Sequence, residues 1–148
     1  MICLPDSFSL DHLFILIPFL LFQFLLFIIP TPPPNSAIQP SPLFNLGWSI
    51  SYLLIGSLLY NTSDSSTKKI LMDNLFLSYV WMCIFIYLQD PKLSLVVSIL
   101  MVMTLLYYFS RDWTELSIIL VPYLIWLLYT TYWNYNVYMN SESSFEQQ

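Results

Sequence analysis

At 148 residues, with 57% hydrophobic and 9% charged side chains, the chain has too little charge to clothe a water-facing surface. Soluble domains carry charge on about a quarter of their residues. The formal charge of −5 comes without a basic cluster and excludes nucleic acid as a partner, and two glycines are too few for a phosphate-cradling loop. The length suits a single domain, residues 1–148. Cys3 and Cys83 read as free buried thiols, and with His12 as the single histidine no metal-ligand set can be written.

A hydrocarbon core about 30 Å thick takes roughly 20 helical residues to cross. Five apolar runs approach that length. The first, Leu13–Ile29, is interrupted only by Pro18 and Gln23 and ends at Pro30 and the cluster Pro32, Pro33, Pro34, which removes helix donors. It lacks the basic segment and small-residue cleavage pattern of a secretory leader and reads as a retained helix. The second, Leu43–Tyr60, has Pro42 suited to its first turn and stops at the polar stretch from Asn61 to Lys69. The third, Ile70–Leu88, is closed by Gln89, Asp90 and Pro91, and the fourth, Leu93–Phe109, by Ser110, Arg111 and Asp112. The fifth, Thr114–Tyr138, precedes a polar tail, and Pro122 inside it is expected to kink it. Short connections between runs of this length predict an all-α integral membrane protein, a five-transmembrane-helix antiparallel bundle in a lipid bilayer.

Tyr60, Tyr87, Tyr107, Tyr108, Trp113, Trp133 and Tyr138 fall near the predicted helix ends, as an interfacial aromatic belt would. Lys68, Lys69 and Arg111 fall in the loops on the N-terminal side and Lys92 alone on the other, which by the positive-inside rule places the N-terminus in the cytoplasm. Asn61-Thr62-Ser63 is then an unused glycosylation match on that side. No ionisable residue occupies the centre of a run, so a proton relay or ion pump is disfavoured; Asp73, a turn inside the third run, is expected to reach the headgroups.

Three segments carry a family resemblance. The fifth run contains Pro122-Tyr123-Leu124-Ile125-Trp126, followed by Thr130, Thr131 and Asn134. The second places Phe44, Trp48, Tyr52 and Gly56 at four-residue steps after a proline-rich stretch, and the third offers Asn74, Ser78, Trp81 and Phe85. Together these resemble the TspO/translocator (TspO/MBR) family, the tryptophan-rich sensory and peripheral-type benzodiazepine receptor proteins, in the same order along the chain. Departures are visible: Pro42 stands where a tryptophan is common, and Asn74 and Ser78 replace Gln and Asn.

The resemblance implies a TspO/MBR-like bundle with a pocket for a hydrophobic small molecule, a tetrapyrrole such as protoporphyrin, serving transport, sensing or scavenging. The ligand-binding residues it implies are Trp48, Tyr52, Asn74, Ser78, Trp81, Trp126 and Thr130. Trp48 and Tyr52 share one helix face, Trp126 and Thr130 the opposite wall, and Asn74, Ser78 and Trp81 a third. From the residues alone, Asn74 and Ser78 read instead as interhelical hydrogen-bonding glue. No cofactor is required. No acid, base or nucleophile constellation is present, so an enzyme would have to degrade porphyrin with Trp48 or Trp126 assisting; a structural subunit whose aromatics only pack is the third alternative. Sterol binding through Tyr135 is not expected, because Met139 stands at the basic position of the proposed motif. Members of the family occupy mitochondrial outer or secretory membranes in eukaryotes and the cell envelope in bacteria, and the sequence does not choose among them. A homodimer stays open, although Phe76, Val80 and Ile84 are bulky where family dimers use small residues.

Overall fold

The computed structural model describes residues 13–28, 42–111 and 115–145. Every described element is helical: α1 (Leu13–Ile28), α2 (Pro42–Asn61), α3 (Ser65–Met82), α4 (Pro91–Arg111) and α5 (Val121–Phe145). A π-helical turn, Cys83–Leu88, extends α3, and a 3-10 segment, Glu115–Leu120, leads into α5. Cys3, His12, the proline cluster and Trp113 lie outside the described residues.

Local chemistry sets the helix ends. Asp64 caps α3, its carboxylate accepting from the Thr67 backbone N–H at 2.7 Å and from the Thr67 hydroxyl at 2.6 Å. This moves the start of α3 to Ser65, five residues before the apolar run begins, so Lys68 and Lys69 ride on the helix rather than in a loop. Those bonds from Thr67, with a smaller contribution from the charge of Arg111, hold the Asp64 carboxyl below its ordinary pKa. At the other end Gln89 takes a left-handed backbone (φ 53°), Asp90 accepts from the Leu93 N–H at 2.9 Å, and α4 begins at Pro91. Pro122 does not sit mid-helix. It is the second residue of α5, in a first turn whose N–H groups have no intrahelical acceptor, so the expected internal kink is replaced by a 3-10 to α junction.

Cross-helix pairs give the topology. Trp48 meets Trp81, Phe44 meets Phe85, and Ser94 meets Asn134, each pairing the first half of one helix with the second half of the next or its continuation, while Phe22 meets Tyr52 near the middle of α1 and α2. Antiparallel neighbours follow, with α2 touching α1, α3 and α5 and α4 lying between α3 and α5. The core is aromatic: Trp48, Trp81, Tyr52, Tyr108, Tyr123, Phe22 and Phe85 are all buried. The outside is apolar as well, with Phe27, Leu43, Phe76 and Ile125 more than half exposed. A bundle apolar on both faces fits only a hydrocarbon surrounding.

By length and composition α2, α3 with its π turn, and α4 suffice to cross a membrane, while the apolar stretch of α1 is shorter. Helix α5 is longer, at 25 residues, and more polar. Two expectations are corrected here. Cys83 is free but exposed, on the outer surface of the bundle rather than in the core. Tyr108 belongs to no interfacial belt: it is 1% exposed and pairs with the Ser117 hydroxyl at 3.3 Å.

Candidate ligand site

The seven residues singled out from sequence fall into two places. Trp48, Tyr52, Asn74, Ser78 and Trp81 form a packed seam between α2 and α3. The Trp48 and Trp81 rings stack with centroids 5.1 Å apart, Trp81 continues onto Phe85 at 4.9 Å, and Trp48 onto Tyr52 at 5.7 Å. The Tyr52 ring is parallel to Tyr79 at 5.1 Å, and its hydroxyl pairs with Ser78 Oγ at 3.1 Å. Ser78 Oγ also donates to the Leu75 carbonyl at 2.6 Å.

Asn74 joins three helices. Its Nδ2 donates to the Met101 carbonyl of α4 at 2.8 Å, and its Oδ1 accepts from the Tyr123 hydroxyl of α5 at 2.7 Å. All five seam residues are at most 1% exposed. The Asn74 amide and the Tyr52 and Ser78 hydroxyls hold the bundle together, which is what buried amides and hydroxyls do where no water competes.

Trp126 and Thr130 face a different space. A groove of about 610 Å³ opens sideways between α2 and α5. Its floor is Phe44 and Gly47 of α2 with Trp126, Thr130 and Trp133 of α5, and its rim is Leu43, Leu46 and Ile50 on one side and Ile125 and Tyr129 on the other. The volume lies within the range of small-molecule sites, about 300–1,000 Å³. No charged residue lines it.

Gly47 makes the groove floor possible. The Trp126 indole lies so close over it that a Cβ at that position would stand 2.4 Å from the ring. Trp126 also borders a smaller hollow of about 180 Å³, with Ser51, Leu54 and Tyr123. The indole N–H groups of Trp48, Trp81 and Trp126 are all buried without an acceptor. Each such donor costs about 1–3 kcal/mol if left unpaired.

Two groove residues escaped the sequence reading. Trp133 looks interfacial by position, yet it packs edge-on to Phe44 at 5.9 Å and against Phe85 at 5.2 Å. Its spacing of seven from Trp126 and three from Thr130 places it on their face of α5, a signal that periodicity contains. Gly47 carried none, because its role depends on what crosses it.

A five-helix antiparallel bundle, apolar inside and out, with an uncharged side groove, is a multi-pass membrane protein. Comparison with known proteins gives the family. The model of the TspO/MBR family matches residues 33–139. The chain is 31% identical to a tryptophan-rich protein TspO of Archaeoglobus fulgidus over 110 residues, covering 68% of this chain and 71% of the relative. It is 29% identical to a tryptophan-rich protein TspO of Chlorobaculum tepidum over 110 residues, 66% of this chain and 69% of that relative. No solved structure matches. The chain belongs to the TspO/MBR family.

Proposed function

We propose that the protein binds a flat hydrophobic molecule, a tetrapyrrole of the protoporphyrin kind, in the α2–α5 groove, for transport, sensing or scavenging. The observation that supports this most is Trp126. A large ring spread over Gly47 at the floor of an uncharged groove offers a stacking face to a flat ligand. Thr130 and Trp133 stand one and two turns further along the same wall.

The groove begins at the first turn of α2, where Leu43 and Phe44 line it. A macrocycle can therefore lie in the apolar part while its carboxylates stay at the end of the helix, near the headgroups, where no desolvation is needed. The rim residues are exposed and, apart from Tyr129, aliphatic, so the ligand enters from the hydrocarbon rather than from water. The seam around Trp81 acts as the rigid back wall. Its residues need not touch the ligand to fix the position of α2, and through α2 the seat of Trp126.

The test is a titration of the purified protein in detergent with protoporphyrin, in the dark and under illumination. Quenching of indole fluorescence with the porphyrin spectrum preserved supports binding. Light-dependent loss of the porphyrin supports the degrading enzyme instead, and absence of quenching supports a bundle whose aromatics only pack.

A further inference from the structure

A second groove, about 420 Å³, lies on the other flank of the bundle between α1 and α3. Ile17, Pro18 and Leu21 form one wall, Met72, Phe76 and Tyr79 the other, and Leu59 of α2 contributes between them. The hydroxyl of Tyr79 donates to the Pro18 carbonyl at 2.7 Å, which ties the walls together and leaves that phenol already paired. The interior thus suits saturated hydrocarbon. Met72 to Tyr79 spans about 10 Å along the helix, the reach of part of an acyl chain.

What distinguishes this groove from an ordinary lipid-facing surface is its upper end. Lys68 and Lys69 stand one turn before Met72 on the exposed side of α3. Helical spacing stacks Lys68, Met72, Leu75 and Tyr79 on one face, with Lys69 and Phe76 on its flank. Side chains lean toward the N-terminus of their helix, so both ammonium groups extend past the groove toward the membrane surface.

The acidic neighbours do not cancel both of them. Asp64 is engaged as the α3 cap by Thr67, and Asp73, one turn beyond Lys69, is in register to partner that lysine alone, which leaves Lys68 on the groove face. Arg111 reaches this end too, since its charge is felt at Asp64. Three of the four Lys and Arg residues therefore gather at one end of the bundle.

We propose that this groove is a binding site for an anionic phospholipid, with an acyl chain between α1 and α3 and the phosphate on Lys68 and Lys69. A second copy of the chain fits less well. Twofold packing in a membrane through this face would set each lysine pair against its own copy at the same depth.

The experiment is native mass spectrometry of the protein reconstituted with equimolar phosphatidylglycerol and phosphatidylcholine bearing identical acyl chains. The wild type should retain one phosphatidylglycerol with a roughly tenfold preference. Lys68→Gln with Lys69→Gln should bring the preference near unity at unchanged helicity. Lys92→Gln, at the opposite end of the bundle, should leave it intact. Ile17→Trp, which fills the groove from its rim, should abolish retention of both lipids. Equal retention by the wild type overturns the proposal. So does a preference that survives the double substitution, an equal loss with Lys92→Gln, lipid retention surviving Ile17→Trp, or a lipid-free dimer.

Discussion

The seam around Trp81 and the groove beside Trp126 use the same vocabulary: indoles and small polar groups at one-turn spacing on facing helices. In the seam, each ring meets another ring. Trp48 lies on Trp81, Trp81 on Phe85, and Tyr52 on Tyr79, while Asn74 and Ser78 have partners on neighbouring helices or turns. In the groove, Trp126 meets a glycine. An indole opposite another indole fills space, whereas an indole opposite a glycine lies down on the backbone and leaves room above it. The comparison shows that the residue across the interface, more than the aromatic residue itself, decides whether a tryptophan packs or lines a cavity.

If this contrast is right, substitutions in the two regions have different signatures. The largest effect belongs to the seam. Trp81→Ala removes the ring between Trp48, Phe44 and Phe85, and should cost about 3–5 kcal/mol of stability by cavity formation. Thermal unfolding in detergent measures it, and a variant as stable as the wild type would mean the seam is not the structural centre. Asn74→Leu comes next. It deletes the bonds to Met101 and Tyr123 and leaves the Tyr123 hydroxyl buried without its acceptor. A loss of about 1–2 kcal/mol is expected, read as a lowered melting temperature.

Gly47→Ala tests the groove in the reverse direction. The added methyl must push Trp126 off its seat into the space above, so protoporphyrin affinity should fall about tenfold, equivalent to roughly 1.4 kcal/mol. In a Trp126→Ala background the same substitution should have little further effect. A drop of equal size in both backgrounds would assign the effect to α2 itself rather than to the glycine–indole contact.

Much of the fold was legible. The five runs and their breakers located five helices because a membrane span is set by length and hydropathy, and both are local properties. The start of α3 was missed because Asp64 and Thr67 build a cap from polar residues that hydropathy reads as loop. The apolar run continues upstream of Pro122 and so predicts a kink there, whereas the chain at that point is 3-10 rather than α. Of the site, Trp126 and Thr130 could be placed on one wall from spacing. That Trp48 faces Trp81 rather than open space could not, since it depends on how far apart α2 and α3 stand. The role of Gly47 is illegible for the same reason, being pairwise and long-range, whereas the place of Trp133 on the face of Trp126 and Thr130 is readable from its spacing. The exposure of Cys83 is not legible either, because an apolar run in a membrane protein does not imply an interior position.

The central claim is that ligand contact lies with Trp126 and structural support with Trp48. It is tested most directly by protoporphyrin titration and thermal unfolding of Trp126→Phe and Trp48→Phe in one detergent. Phenylalanine keeps most of the apolar volume and removes the N–H and part of the stacking area. Trp126→Phe should weaken binding by about 1 kcal/mol, close to fivefold, with a melting temperature near that of the wild type. Trp48→Phe should lower the melting temperature and leave affinity within twofold, roughly the 0.4 kcal/mol that measurement resolves. Affinity lost on changing Trp48 and retained on changing Trp126 would contradict the account and move the ligand into the seam.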